Sequence, residues 1–255
     1  MQTFELGIND TDKPLTLLHE TFTVVNRNTK VAPLNPKASR TEKPCWTGGT
    51  RDEVLVAFPN GVAEKQVSLE FRPHPMGDRT IRSLKCLVLD RKLQTLREER
   101  VKFDGMNPSL ISFDLPKDEP LMVRVEGSFF QMRVHAAQYG LSAWRKSPFH
   151  VFARQKTTFF FQVNPGAKEV LLGAQDGGPL EIATIVVHDS KGEEVYRHRG
   201  NASEGAPARI PVAAGQDGKI WSITLEPVED FFFWLEAGAS PWVSLDKGCV
   251  IREVE

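Results

Sequence analysis

Of 255 residues only three are cysteine and two are tyrosine, and the formal charge is −1. Cys45, Cys86 and Cys249 lie far apart with no C-x-x-C pair, which argues against a zinc ribbon and against a disulfide framework. No apolar run reaches the roughly 18–20 residues that span a bilayer as a helix, so no membrane span is expected. With 32 Lys and Arg against 33 Asp and Glu there is no general basic field, and nucleic acid is not an expected partner. Phosphate loops of the G-x-x-x-x-G-K-[ST] kind and G-x-G-x-x-G fingerprints are missing. The six histidines show no H-x-H or H-E-x-x-H spacing. Gly140-Leu-Ser142-Ala-Trp144 is half of a nucleophile elbow, without the second glycine or a strand-to-helix context. The first ten residues have no basic start followed by an apolar core and do not read as a secretory signal.

What is present is β-forming. Glu53–Phe58, Gln66–Phe71, Leu121–Glu126, Thr158–Val163, Ile182–Val187, Lys219–Leu225 and Phe231–Leu235 are short and rich in Val, Ile and Phe, and several alternate with a period of two. Turn chemistry separates them, as at Pro59-Asn60-Gly61, Asn164-Pro165-Gly166, Asp176-Gly177-Gly178, Lys191-Gly192 and Asp217-Gly218. Many short strands with regular punctuation predict an all-β chain built from sandwiches or barrels.

A faint internal repeat sharpens this. Phe58-Pro-Asn-Gly before Val67-Ser-Leu69 matches Val163-Asn-Pro-Gly before Val170-Leu-Leu172. Cys86-Leu-Val-Leu-Asp90-Arg-Lys92 matches Ile185-Val-Val-His-Asp189-Ser-Lys191, each read as a hairpin with Asp and Lys in the turn. Pro120–Val125 is set against Lys219–Thr224, and Phe129–Val134 against Phe231–Leu235. Four segments in the same order, displaced by roughly 100 residues, predict two tandem antiparallel β-sandwich units of jelly-roll type. The expected boundary gives 1–143, with long N-terminal loops, and 144–255. The repeat also decides residues 84–100, which could be drawn as an amphipathic helix. Their counterpart at 185–196 holds Ile-Val-Val and a Lys-Gly turn, so strand, turn and strand are expected.

Candidate chemistry is sparse. Glu226, Glu229, Asp230 and Glu236 group around Pro227 but read as solvated strand ends, not as a glycosidase pair. His188 and His198 flank a hairpin whose Asp189 is expected to shape the turn. Asp176, Asp189 and Asp217 sit in glycine-rich turns where calcium would find carboxylates and carbonyls. Trp221, Trp234 and the Phe runs are expected in the core. Trp46, Tyr139, Trp144 and Trp242 border Gly, Ser, Pro or charge and read as loop rings, suited to stacking on a sugar or packing an interface.

Val163-Asn-Pro-Gly-Ala-Lys-Glu-Val170, followed by Val186-Val-His-Asp189-Ser-Lys-Gly192-Glu-Glu-Val195, resembles the rhythm of jelly-roll carbohydrate-binding modules, galactose-binding-like domains and pre-peptidase C-terminal domains. The resemblance covers residues 158–225. It is looser in the first copy, where Leu93 replaces the turn glycine. It implies a jelly roll, a secreted or periplasmic setting, attachment to a larger carbohydrate-active protein and a structural calcium. The expected function is a non-catalytic carbohydrate-binding or accessory module, stacking a neutral glycan on Trp46, Trp242, Tyr139 and Trp144 with no cofactor required. Two alternatives stay open: a structural or protein-interaction pair of sandwiches, and a polysaccharide-cleaving enzyme with a cleft between the units.

Overall fold

Residues that alternate apolar and polar in steps of two turn one face of a strand to a core and the other to solvent. In Gln66–Pro73, Val67, Leu69 and Phe71 are fully buried while Gln66 is exposed. The computed structural model describes residues 4–7, 15–17, 20–22, 28–34, 44–47, 49–50, 53–57, 65–74, 83–90, 94–115, 120–127, 129–143, 148–152, 155–177, 181–202, 208–227 and 229–254. These are nearly all β, in antiparallel sheets that pack as sandwich-like layers.

In chain order the strands are β1 (Phe4–Gly7), β2 (Leu15–Leu17), β3 (Glu20–Phe22), β4 (Asn28–Pro33), β5 (Glu53–Ala57), β6 (Gln66–Pro73), β7 (Ser83–Leu89) and β8 (Thr95–Lys102). There follow β9 (Ser109–Asp114), β10 (Leu121–Glu126), β11 (Phe130–His135), β12 (Tyr139–Ser142), β13 (Phe149–Phe152), β14 (Thr157–Gln162) and β15 (Glu169–Asp176). The last are β16 (Ala183–His188), β17 (Glu194–Gly200), β18 (Ala208–Pro211), β19 (Ile220–Pro227), β20 (Asp230–Leu235), β21 (Trp242–Val243) and β22 (Ile251–Val254), with a single 3-10 turn at Lys247–Cys249 among the described residues.

Strands β5, β10, β7 and β8 lie side by side in that order, and β11, β6 and β9 form another sheet. The same orders recur nine strands later, as β14-β19-β16-β17 and as β20-β15-β18 with β13 added at the β20 edge. Even the edge has its counterpart, because Thr50 bridges Phe130 of β11 as β13 pairs β20. The hairpins around Asp90 and Asp189 share their chemistry. Gln94 N donates to Asp90 Oδ1 at 2.8 Å and Glu193 N to Asp189 Oδ1 at 3.0 Å, each beside a bulge one or two residues earlier. Residues 84–89 and 95–100 are thus strands, in β7 and β8, as expected, and Asp90 N donates to Gln94 O between them.

One sequence match is displaced. Val123 lies opposite Val88, and Ile223 opposite Val187, so Val123 corresponds to Ile223 and not to Ser222. The slip of one residue matters because it exchanges the faces of a strand. Trp221, Ile223 and Leu225 therefore face the core, in the places of Leu121, Val123 and Val125.

The chain after β20 does not stay with its own half. β21 pairs β12, β22 pairs β4, and Ser244 bridges Phe160 of β14. The apolar core is continuous from Leu55 to Cys249 and takes side chains from sheets of both halves. Strand pairing thus crosses the expected 143/144 boundary.

Candidate functional site

The outward side chains of β6 and β11 are polar where the inward ones are apolar. Register sets Arg72 opposite Gln131, Glu70 opposite Arg133 and Ser68 opposite His135. On the other flank β9 sets Leu110 opposite Glu70, Ser112 opposite Ser68 and Asp114 opposite Gln66. The face runs about 20 Å along β6 between Gln66 and Arg72.

Hydrogen bonds knit these groups crosswise. Arg72 Nε donates to Gln131 Oε1 at 2.7 Å, and Arg133 Nη1 donates to Glu70 Oε2 at 3.3 Å. His135 Nε2 lies 3.2 Å from the same Glu70 oxygen. Gln131 is buried, and its amide nitrogen donates to Thr47 O and to Gln155 Oε1. The Ser68 and Ser112 hydroxyls bond at 2.8 Å, as do Gln66 Nε2 and Asp114 Oδ1. Towards β9 the face is open, with Leu110, Ser112 and Asp114 exposed.

Trp46 sits on this face. Thr47 ties its segment to β11: Thr47 N donates to Met132 O and Met132 N donates to Thr47 Oγ1, both at 2.8 Å. The half-buried indole is packed by two guanidiniums, with Arg133 Cζ 4.2 Å and Arg72 Cζ 4.4 Å from the ring centroid. Such cation–π contacts contribute about 0.5–2 kcal/mol each. Burial pushes Arg72 below its ordinary value and Arg133 pushes the same way, with Glu70 opposing. Burial, then Arg72, likewise lowers His74.

The equivalent face of the second half has taken another course. Phe232 and Trp234, in the places of Gln131 and Arg133, are buried. Trp234 covers Gly173, which stands where Glu70 does in the first half. His150 Nε2 meets Asp230 Oδ1 at 3.0 Å, and its ring packs on Phe232 with centroids 4.7 Å apart.

Of the aromatic rings read as loop-borne, Trp46 alone lies half-buried at a described solvent-facing position. Tyr139 and Trp242 are corrected: both are buried, in β12 and β21. Leu245 N donates to the Tyr139 hydroxyl at 3.1 Å. Gly140, taken for a loop signal, permits close packing, since a β-carbon there would stand 2.5 Å from Ile251 Cδ1. Trp144 lies outside the described residues.

The three aspartates do not fit a shared calcium site. Asp176 ends β15 and accepts from Ala202 N through both carboxylate oxygens. Asp189 and Asp217 lie at the opposite end of the sheets. Asp189 Oδ1 accepts from Lys191 N at 2.8 Å and from Glu193 N, and Asp217 Oδ2 accepts from Gly166 N at 2.9 Å. The bond from Gly166 holds the Asp217 carboxyl below its ordinary value. Among the described residues no three His, Cys, Asp or Glu side chains converge on a point that would hold a metal. Of the acids near Pro227, two are far apart. Asp230 and Glu236 flank opposite ends of β20, about 20 Å apart, far beyond the roughly 5–9.5 Å of glycosidase pairs. Register keeps His188 and His198 apart too, opposite Glu194 and Ile185.

Glu70, Arg72, Gln131, Arg133 and His135 were not singled out from the sequence. Their signal is the alternation in QVSLEFRP and FQMRVH, which names an outward face but not which strands share it.

No family model and no curated protein sequence matches the chain. Among solved structures, the fucolectin of striped bass (Morone saxatilis) serum aligns over 82% of this chain and 83% of its own, at 10% identity and a TM-score of 0.23. The structure of infectious bursal disease virus Gt strain aligns over 89% of this chain and 74% of its own, at 13% identity and a TM-score of 0.17. Scores this low carry no argument about fold or ligand.

Proposed function

We propose that the chain is a non-catalytic carbohydrate-binding module that takes a glycan on the outer face of β11, β6 and β9. The observation that carries this is Trp46, a half-buried ring held rigidly beside Arg72, Arg133, Glu70 and His135 on an open sheet face. A sugar offers an apolar ring face edged by hydroxyls. An indole matches the first, and fixed planar donors and acceptors match the second. Exposed Leu110 adds an apolar contact next to Glu70. On this reading 1–143 and 144–255 are copies of one sandwich unit. The second copy has closed its face with Phe232 and Trp234, and the first has kept its own open.

Binding to a polysaccharide panel, by pull-down and by array, tests the proposal. Retention is expected, falling about tenfold or more in Trp46→Ala, whose fold is checked by its unfolding midpoint. Binding to no member of the panel, or binding unchanged in folded Trp46→Ala, would overturn it.

A further inference from the structure

Arg72 and Arg133 both approach the ring of Trp46, and between them they meet one carboxylate. Glu70 takes Arg133, while the hydrogen-bond partner of Arg72 is the neutral Gln131. Among the described residues no second carboxylate pairs with either guanidinium. Among the described residues the pair thus carries one uncompensated positive charge at an open surface, although the whole chain carries −1. Guanidinium forks match the two-oxygen edge of a carboxylate or sulfate better than they match a hydroxyl. Arg72 is held below its ordinary value by partial burial first and by the like charge of Arg133 next. We infer that the sugar bound on this face carries an acidic group, a carboxylate or a sulfate, which Arg72 and Arg133 hold beside Trp46. This rests on the carbohydrate reading of the same face and replaces the neutral ligand expected from the overall charge. Nucleic acid fits less well, because a phosphodiester chain needs a series of cations, and the face continues into Ser112 and Asp114.

Matched polysaccharides test the inference: polygalacturonate against its methyl ester for the carboxylate, and dextran sulfate against dextran for the sulfate. The acidic member of at least one pair is expected to bind about tenfold or more tighter than its neutral partner. The gap closes in Arg72→Gln and in Arg133→Gln. It also shrinks as ionic strength rises from about 0.01 M to about 1 M, where the Debye length falls from about 30 Å to about 3 Å. Arg72→Lys keeps the charge but loses the fork, narrows the gap without closing it, and serves where Arg72→Gln does not fold. Equal binding within both pairs, or a gap untouched by the arginine substitutions, overturns the acidic group and leaves the carbohydrate reading standing. Binding to none of the four overturns the acidic group, and tighter binding of a mixed-sequence RNA oligonucleotide than of any of them overturns both.

Discussion

The indole of Trp234 fills the space in front of Gly173: a β-carbon on residue 173 would stand 1.9 Å from Cε2 and 2.2 Å from Nε1. The ring is not free to swing away, since it is buried and its Nε1 donates to Glu236 Oε1 at 2.9 Å. Gly173→Ala is therefore expected to cost about 1–3 kcal/mol, as overpacking of a filled site does. Denaturant unfolding measures it, and an unchanged midpoint would mean that the ring relocates without cost.

Tyr139 ties stability to alkaline pH. Burial first, and Cys249 next, hold its phenol well above the usual value. The folded form thus resists ionisation, while the unfolded form ionises near about 10. The associated stability is complete below that pH and is lost as pH rises beyond it. The phenolate absorbance of Tyr139 is expected to appear together with unfolding. Tyr139→Phe removes this component and strips Leu245 N of its acceptor, costing about 1–3 kcal/mol at neutral pH.

The two hairpin aspartates differ in weight despite their shared design. Asp189 is buried and serves two amides through one oxygen, whereas Asp90 is only half-buried and its bond from Gln94 N lies exposed to solvent. Asp189→Ala is expected to lower stability by about 1–3 kcal/mol and Asp90→Ala by about 1 kcal/mol or less. Equal losses in equilibrium unfolding would contradict the ranking.

Thiol reactivity separates the cysteines. Cys45 is exposed, while Cys86 and Cys249 are buried, and burial, with Glu99, pushes the Cys86 thiol up to about 12. Alkylation of the native protein is expected to label Cys45 and spare the other two until unfolding. Because Cys45 adjoins Trp46, a bound glycan is expected to slow that labelling. A rate indifferent to saturating ligand would place the ligand elsewhere.

How much of this was legible in the sequence varies with how local the signal is. Alternating strands such as β6 and the Asp-led hairpins are decided by a few neighbouring residues, and the sequence shows them directly. The parity of β10 is not, because Leu121, Met122 and Val123 are apolar in succession and all three are buried. Such a run fits either face, so only pairing with β7 fixes the register. Tyr139 and Trp242 were misplaced because glycine marks two things, a turn or a close approach, and Gly140 marks the second. The arginines around Trp46 stayed hidden because Arg72 and Arg133 stand 61 positions apart, and any solvated strand face carries charges of the same kind.

The threading of residues 239–254 through both halves bears on how the molecule comes into being. Ser244 donates to the carbonyl of Tyr139 across a separation of 105 residues, and its segment also lies along β14. A chain leaving the ribosome in order therefore displays the edges of β12 and β14 unpaired until residues beyond 239 have been made. The sheet of β12, β5, β10, β7 and β8 is not complete until β21 is present, whereas both four-stranded sheets of the second half draw only on its own strands. Assembly on this plan ends in a late closure of the first half, whose β12 edge stays aggregation-exposed while it waits.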